Sequence, residues 1–135
     1  MAKNIIQIEP LEDHSDDRGV SFSLPLQIFD FMKKIKEIHM ATILPGAVRG
    51  NHFHEKRKEV IMVLYSDAWI FGYQDKKAEQ PTFQHFEGEA GIVIKIKPGI
   101  AHALKNTGNK PLLIACFSNS ANDPKNSDIN EKIVL

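Results

Sequence analysis

The sequence contains one cysteine, Cys116, one tryptophan, Trp69, and two tyrosines, Tyr65 and Tyr73. A lone cysteine makes no internal disulfide, so a reducing compartment, the cytoplasm, is the expected setting. A surplus of charge is also missing. Lys plus Arg is 17 and Asp plus Glu is 17, for a formal net charge of zero. Nucleic-acid binding draws on excess positive charge that releases phosphate counterions, and adhesion to anionic membranes needs clustered Lys and Arg. Neither partner is expected. No apolar run approaches the ~20 residues of a membrane helix. The start, Met1-Ala2-Lys3-Asn4-Ile5-Ile6, carries no signal-peptide core. Internal repeats and low-complexity tracts are absent as well.

What is present is an ordinary globular balance, 42% hydrophobic and 25% charged over 135 residues. That length suits one domain, expected to span residues 1–135, with a core of its own. The apolar segments are short and end at turn residues: Ile38–Leu44, Val60–Tyr65, Ala68–Tyr73, Thr82–Phe86, Gly91–Lys97 and Leu112–Phe117. In Gly91–Lys97, Ile92, Ile94 and Ile96 share one face while Lys95 and Lys97 take the other. Runs this short, punctuated this often, predict strands and an all-β sandwich or barrel. The exception is the segment near residues 26–36, where Leu26, Ile28, Phe29, Phe31, Met32 and Ile35 suit a short helical turn. The polar stretch Ser118–Asp128 is expected to wrap the surface before Ile133-Val134-Leu135 finds an apolar partner. Trp69, Phe71 and Tyr73 read as core or dimer-face packing, Cys116 as a buried strand residue, and Lys56-Arg57-Lys58 as a solvated turn.

Six histidines are present. His14, His39 and His85 stand singly and read as surface or hydrogen-bonded core residues. His52 and His54 lie two residues apart, so on a strand both point to one face. Glu59 has the opposite parity and converges with them only if the chain turns at Glu55-Lys56-Arg57-Lys58. His102, just past Pro98-Gly99, brings a third imidazole if it enters the same pocket. Three imidazoles and a carboxylate suit a divalent transition metal: Zn, Fe, Mn, Ni or Cu.

These spacings resemble the two signatures of the cupin superfamily. Gly46, five residues, His52, one residue, His54, four residues and Glu59 are similar to the first, with Ser66 where that signature has glycine. Gly91, five residues, Lys97, Pro98-Gly99, two residues, His102, three residues and Asn106 are similar to the second, with Lys97 where proline is usual. The signature region is 46–106. The resemblance implies a single-domain jelly-roll β-barrel and, as metal ligands, His52, His54, Glu59 and His102. Asp16-Asp17-Arg18-Gly19, Arg49-Gly50-Asn51-His52-Phe53-His54, Ile100–Gly108 and Ala121-Asn122-Asp123-Pro124 are similar to the cupins that epimerise or isomerise nucleotide-linked sugars, and to the cupin domain of capsular-polysaccharide proteins.

That narrower resemblance implies a catalytic base at His52 and a diphosphate held by Arg18 and Arg49, since guanidinium pairs well with phosphate. A metal-bound imidazole has spent its lone pair, so base and ligand are competing roles for His52. If His52 is a ligand, His39 or Tyr65 is the candidate acid or base. The tyrosine that the epimerases carry on a late strand has no counterpart after Tyr73. Three functions follow: a metal-dependent sugar-nucleotide epimerase or isomerase working by proton abstraction beside a carbonyl; another metal cupin, such as a dioxygenase or small-molecule isomerase; or a barrel that binds a sugar without chemistry. Cupins commonly pair through edge strands, so a homodimer is expected.

Overall fold

Alternating apolar residues build two five-stranded antiparallel sheets that face each other. The computed structural model describes residues 5–121 and 123–135. Met1–Asn4 of the leader reading and Asn122 of the Ala121–Pro124 segment lie outside the described residues. The strands are β1 (Ile6–Pro10), β2 (Glu12–Asp13), β3 (Phe22–Ser23), β4 (Glu37–Ile43), β5 (Val48–Phe53), β6 (Glu59–Tyr65), β7 (Trp69–Gln74), β8 (Thr82–Phe86), β9 (Ala90–Ile96), β10 (Ala101–Asn106), β11 (Leu112–Ser118) and β12 (Asn130–Glu131). One sheet runs β1-β9-β6-β11-β4 and the other β12-β5-β10-β7-β8, with β2 and β3 as a small separate ribbon. The two sheets make the expected jelly roll as a sandwich with free edges rather than a closed barrel.

Side-chain parity explains the core. Ile61 and Val63 on β6, Ile92, Ile94 and Ile96 on β9, and Ile114 on β11 face Trp69 and Phe71 of β7 and Leu104 of β10. Trp69 and Phe71 are fully buried, each contributing roughly 1.5–3 kcal/mol or more through burial. Trp69 stacks on Phe86 at 4.4 Å between ring centroids. The opposite end of the sandwich, where β6 begins and β10 begins, is polar. The cavity opens there.

Both outer faces receive partial covers from outside the strands. A 3₁₀ helix, Leu26–Met32, falls where the helical turn is expected, and its Ile28, Phe29 and Met32 pack with Leu11 over Val60 and Val93. Val93 explains why Gly91–Lys97 is not simply two-faced: its second side is apolar at Val93, under the 3₁₀ helix, and lysine only at Lys95, which reaches Glu9, and at Lys97. On the second sheet, Val134 and Leu135 cover Ala101 and Ala103. That is the apolar partner expected for the chain's last residues. Asn106, 1% exposed, ties the two sheets together. Its Nδ2 donates to the carbonyls of Ile43 and Lys110, and its Oδ1 accepts from Gly108 N–H.

Candidate metal centre

The members of the histidine cluster gather at the polar end from three strands. His52 comes from β5, His54 from just beyond it, Glu59 opens β6 and His102 sits on β10. The parity conflict between His54 and Glu59 is resolved by the turn at residues 55–58, as the spacing requires. Asp128 builds that turn: its carboxylate accepts the backbone N–H groups of Glu55, Lys56 and Arg57 at 2.9–3.0 Å. A second device sits in β5. The pairing of β10 with β5 shifts between His102↔His52 and Ala103↔Gly50, a bulge at Gly50-Asn51. Arg49 and His52 have opposite parity, and the bulge lets both line the cavity.

The bulge also explains the Arg-Gly-Asn-His run physically. Gly50 has φ +102°, and a Cβ there would stand 2.7 Å from the His102 carbonyl oxygen. Asn51 has φ +57°. Its Oδ1 accepts from the Val134 and Leu135 N–H groups, and its Nδ2 donates to the Leu135 carbonyl. Glycine is needed for the close approach and asparagine for pinning the terminal segment.

One candidate ligand atom from each of His52, His54, Glu59 and His102 lies within 4.8 Å of all the others. His54 Nε2 is 2.6 Å from Glu59 Oε1, and His102 Nε2 is 3.5 Å from the same oxygen. Burial works to raise the Glu59 carboxyl, but the three imidazoles outweigh it and hold it at about 2. Burial, reinforced by His102 and His54, pushes His52 down to about 4. Burial also lowers His102. At His54 burial is outweighed by the Glu59 contact, which raises it.

The donor set fits a cation. His54 Nδ1 lies 2.8 Å from the Asp128 carbonyl oxygen and His102 Nδ1 lies 3.0 Å from the Ile100 carbonyl. A carbonyl only accepts, so each Nδ1 carries the hydrogen and each Nε2 of a neutral ring turns a lone pair toward Glu59. His54 Nε2 and Glu59 Oε1 are buried with neither satisfied by a hydrogen bond. An extra proton on His54 would satisfy one pair. A divalent ion would satisfy all four donors, and carbonyl-tethered imidazoles are how proteins orient such ligands.

The other sequence candidates divide. His39 and Arg49 line the same cavity, of about 280 Å³. Arg49 donates its Nε to the Thr42 carbonyl at 2.9 Å. Tyr65 is not there: it lies at the far end of β6 from Glu59, packed edge-on against Trp69 and Phe86. Arg18 is not there either. It is exposed and paired with Asp16 through Nε and Nη2. Cys116 lines the cavity wall, and burial pushes its thiol up to about 12, so it is no nucleophile. Arg57 corrects the solvated-turn reading, being 8% exposed and part of the cavity wall. Asp128 went undetected because its role runs through the backbone of a distant turn.

A jelly roll with three histidines and a glutamate gathered between its sheets is a cupin. More narrowly, the chain belongs to the polysaccharide biosynthesis C-terminal domain family, whose model matches residues 14–130. It is 25% identical over 127 residues to the spore coat polysaccharide biosynthesis protein SpsL of Bacillus subtilis, covering 91% of this chain and 84% of that protein. Among solved structures, the capsular polysaccharide assembling protein CapF of Staphylococcus aureus superposes with a TM-score of 0.67 at 21% identity. That match covers 93% of this chain and 33% of CapF, so this chain spans a third of CapF's length. The 3,4-ketoisomerase QdtA of Thermoanaerobacterium thermosaccharolyticum, solved as a mutant with TDP-4-keto-6-deoxyglucose, superposes with a TM-score of 0.70 at 14% identity, covering 95% of this chain and 88% of QdtA. These superpositions establish the fold. Among the described residues no helix is long and apolar enough to cross a membrane.

Proposed function

We infer that this protein is a metal-dependent cupin that epimerises or isomerises a nucleotide-linked ketosugar during polysaccharide synthesis. The observation that carries this reading is the convergence of His52, His54, Glu59 and His102 at one end of a ligand-sized cavity. Family membership and the sugar-bound relative supply the substrate class. These four residues would hold the ion, of the Zn, Fe, Mn or Ni type. When bound it supplies Lewis acidity that polarises a carbonyl.

The chain's own residues do the rest. A cavity of about 280 Å³ has room for a sugar ring, just below the ~300–1,000 Å³ usual for ligand pockets. The nucleotide then lies across the mouth, within reach of Arg49. His39 projects into the cavity from β4 and is the candidate for moving the proton. The carbon-bound proton next to the carbonyl passes to the base, the C–H electron pair forms a double bond, and the carbonyl pair moves to oxygen. Return of the proton from the other face gives the epimer; its return to the neighbouring carbon gives the isomer. Leu104, Ile114 and Ile61 line the wall and keep water from the intermediate.

One observation favours a second assignment within this reading. His54 and His102 each have a carbonyl on Nδ1, whereas the His52 ring has no hydrogen-bond partner among the described residues. An untethered neutral imidazole is free to act as the base, leaving His54, Glu59 and His102 as a three-residue site with an open position. The expected homodimer finds support in β4, an edge strand whose Ile38 and Met40 are 56% and 73% exposed beside Leu113 at 43%. The free thiol of Cys116 fits a cytoplasmic setting.

The test is incubation of the metal-loaded protein with nucleotide-linked 4-ketosugars in deuterated water. Solvent deuterium at a carbon next to the ketone supports the reading. Its absence from every sugar carbon contradicts it, and oxygen uptake after iron loading would favour a dioxygenase instead. Tight sugar binding without either would favour a binding module.

A further inference from the structure

Lys56, Arg57 and Lys58 follow one another in the turn, yet their side chains go three ways. Lys56 is exposed and Lys58 Nζ donates to the Phe31 carbonyl on the outer side. Arg57 turns inward, 8% exposed, into the cavity that holds His52, His54, Glu59 and His102. It is held from two sides. Its backbone N–H donates to Asp128 Oδ2 at 3.0 Å, and its Nε donates to Ser120 Oγ at 3.3 Å.

Among the described residues no carboxylate forms an ion pair with Arg57, and its two terminal nitrogens have no hydrogen-bond partner. A guanidinium anchored at its Nε, with its terminal pair unbonded along a cavity wall, is a ready site for an anionic oxygen. The remaining charged wall residues of the cavity are Glu37, Glu59 and Arg49. With a divalent ion in place the inner cavity is positive overall. Such a site asks for a ligand that is anionic or becomes so.

We propose that Arg57 is a substrate-binding residue that grips, through its free pair of N–H donors, the hydroxyl oxygen adjacent to the reacting ketone, making the protein selective for vicinal hydroxy-ketones. The inference rests on the proposed function and deepens it. Removing the proton from the hydroxyl-bearing carbon forms a carbon–carbon double bond and moves the carbonyl pair onto oxygen. The product is a planar ene-diolate with two neighbouring oxygens and one negative charge. The charge first lies on the former carbonyl oxygen, and transfer of the hydroxyl proton to that oxygen brings it to the one Arg57 holds, in a place fixed before the reaction begins. For isomerisation the carbon proton then returns to the former carbonyl carbon. Atoms and electrons balance without an oxidant.

Acetohydroxamate is an anion with two coplanar neighbouring oxygens and serves as the probe. It is titrated into full-length protein loaded with Co(II), with the visible Co(II) spectrum as readout, for wild type, Arg57→Lys and Arg57→Gln. Co(II) affinity is measured in parallel for each. The expected result is hydroxamate affinity weakened roughly tenfold or more in Arg57→Gln and partly restored in Arg57→Lys, as a paired charge-assisted contact requires, with Co(II) affinity within about threefold throughout. Arg57→Lys keeps the charge and carries the test if Arg57→Gln does not fold. Unchanged hydroxamate affinity in both variants overturns the proposal, as does a parallel loss of Co(II) or a wild type that takes up no Co(II). Deuterium exchange into a ketosugar with hydroxamate binding indifferent to Arg57 overturns this assignment and leaves the sugar reading intact. Arg57-dependent hydroxamate binding with no exchange in any nucleotide-linked ketosugar supports the oxyanion site and removes the sugar-nucleotide reading.

Discussion

Glu59 carries the negative charge among three imidazoles at the polar end of the sandwich, buried at 5% exposure. Its carboxyl stays ionised because the histidines outweigh the cost of burial. Glu59→Gln keeps the shape and removes the charge. Affinity for Zn or Co, measured by competition with a chelating dye, is expected to fall at least about a hundredfold. An unchanged affinity would separate Glu59 from the metal. At this scale the sequence is readable where residue type is itself the signal. His52, His54, Glu59 and His102 stand out because few side chains ligate metals. Arg57 does not, because a Lys-Arg-Lys run looks the same whether one side chain turns inward or none does. Its burial follows from Asp128 shaping the turn, and Asp128 lies far along the chain.

Among the elements, the β5 bulge and the C-terminal strap set the geometry of the site. Gly50 has a left-handed φ and no room for a Cβ. Gly50→Ala is expected to cost at least roughly 2 kcal/mol, a fall of roughly 6–8 °C in Tm, with weakened metal binding because His52 and His102 face each other across the bulge. The strap contributes through Asp128. Its carboxyl is held below the usual range because the three N–H bonds of the turn outweigh burial. A depressed carboxyl stabilises the fold above the unfolded pKa near about 3.9 and loses that effect as pH falls through its lower folded value. Asp128→Asn is therefore expected to be less stable to urea at pH 7 by about 1 kcal/mol, kept small by solvent screening. The gap should close below pH 4, and a gap that widens there would contradict the assignment. Periodicity reveals β4, β6, β7, β9 and β11 because apolar residues dominate them, and β8 because Phe83 and Phe86 stand between turn residues. It is silent on β1, which ends at Pro10, and on the reach of β5, where Arg49, Gly50 and Asn51 interrupt the pattern.

At the scale of the whole molecule, the two sheets divide labour between a dry aromatic end around Trp69 and a wet, charged end around Glu59. That division accounts for Tyr65 lying away from the site despite sharing the inner face of β6 with Glu59: a seven-residue strand crosses from one end to the other. The jelly roll is legible in the sequence through its two signatures, whereas the covers on the outer faces come from weakly patterned segments at either end. The 3₁₀ helix leaves β4 bare, and Met40→Glu on that face is expected to weaken a homodimer at least about a hundredfold. Light scattering behind a sizing column would show it as a shift to monomer, and a wild type that is already monomeric would contradict the dimer.

The most direct test of the account is anomalous diffraction from crystals of the purified protein, with data on both sides of the absorption edges of Mn, Fe, Ni and Zn. The account predicts one strong peak about 2.0–2.2 Å from the nearest nitrogen or oxygen atoms of His54, Glu59 and His102, with His52 completing the set. No peak there, with His54 and Glu59 bridged by a proton instead, would contradict it.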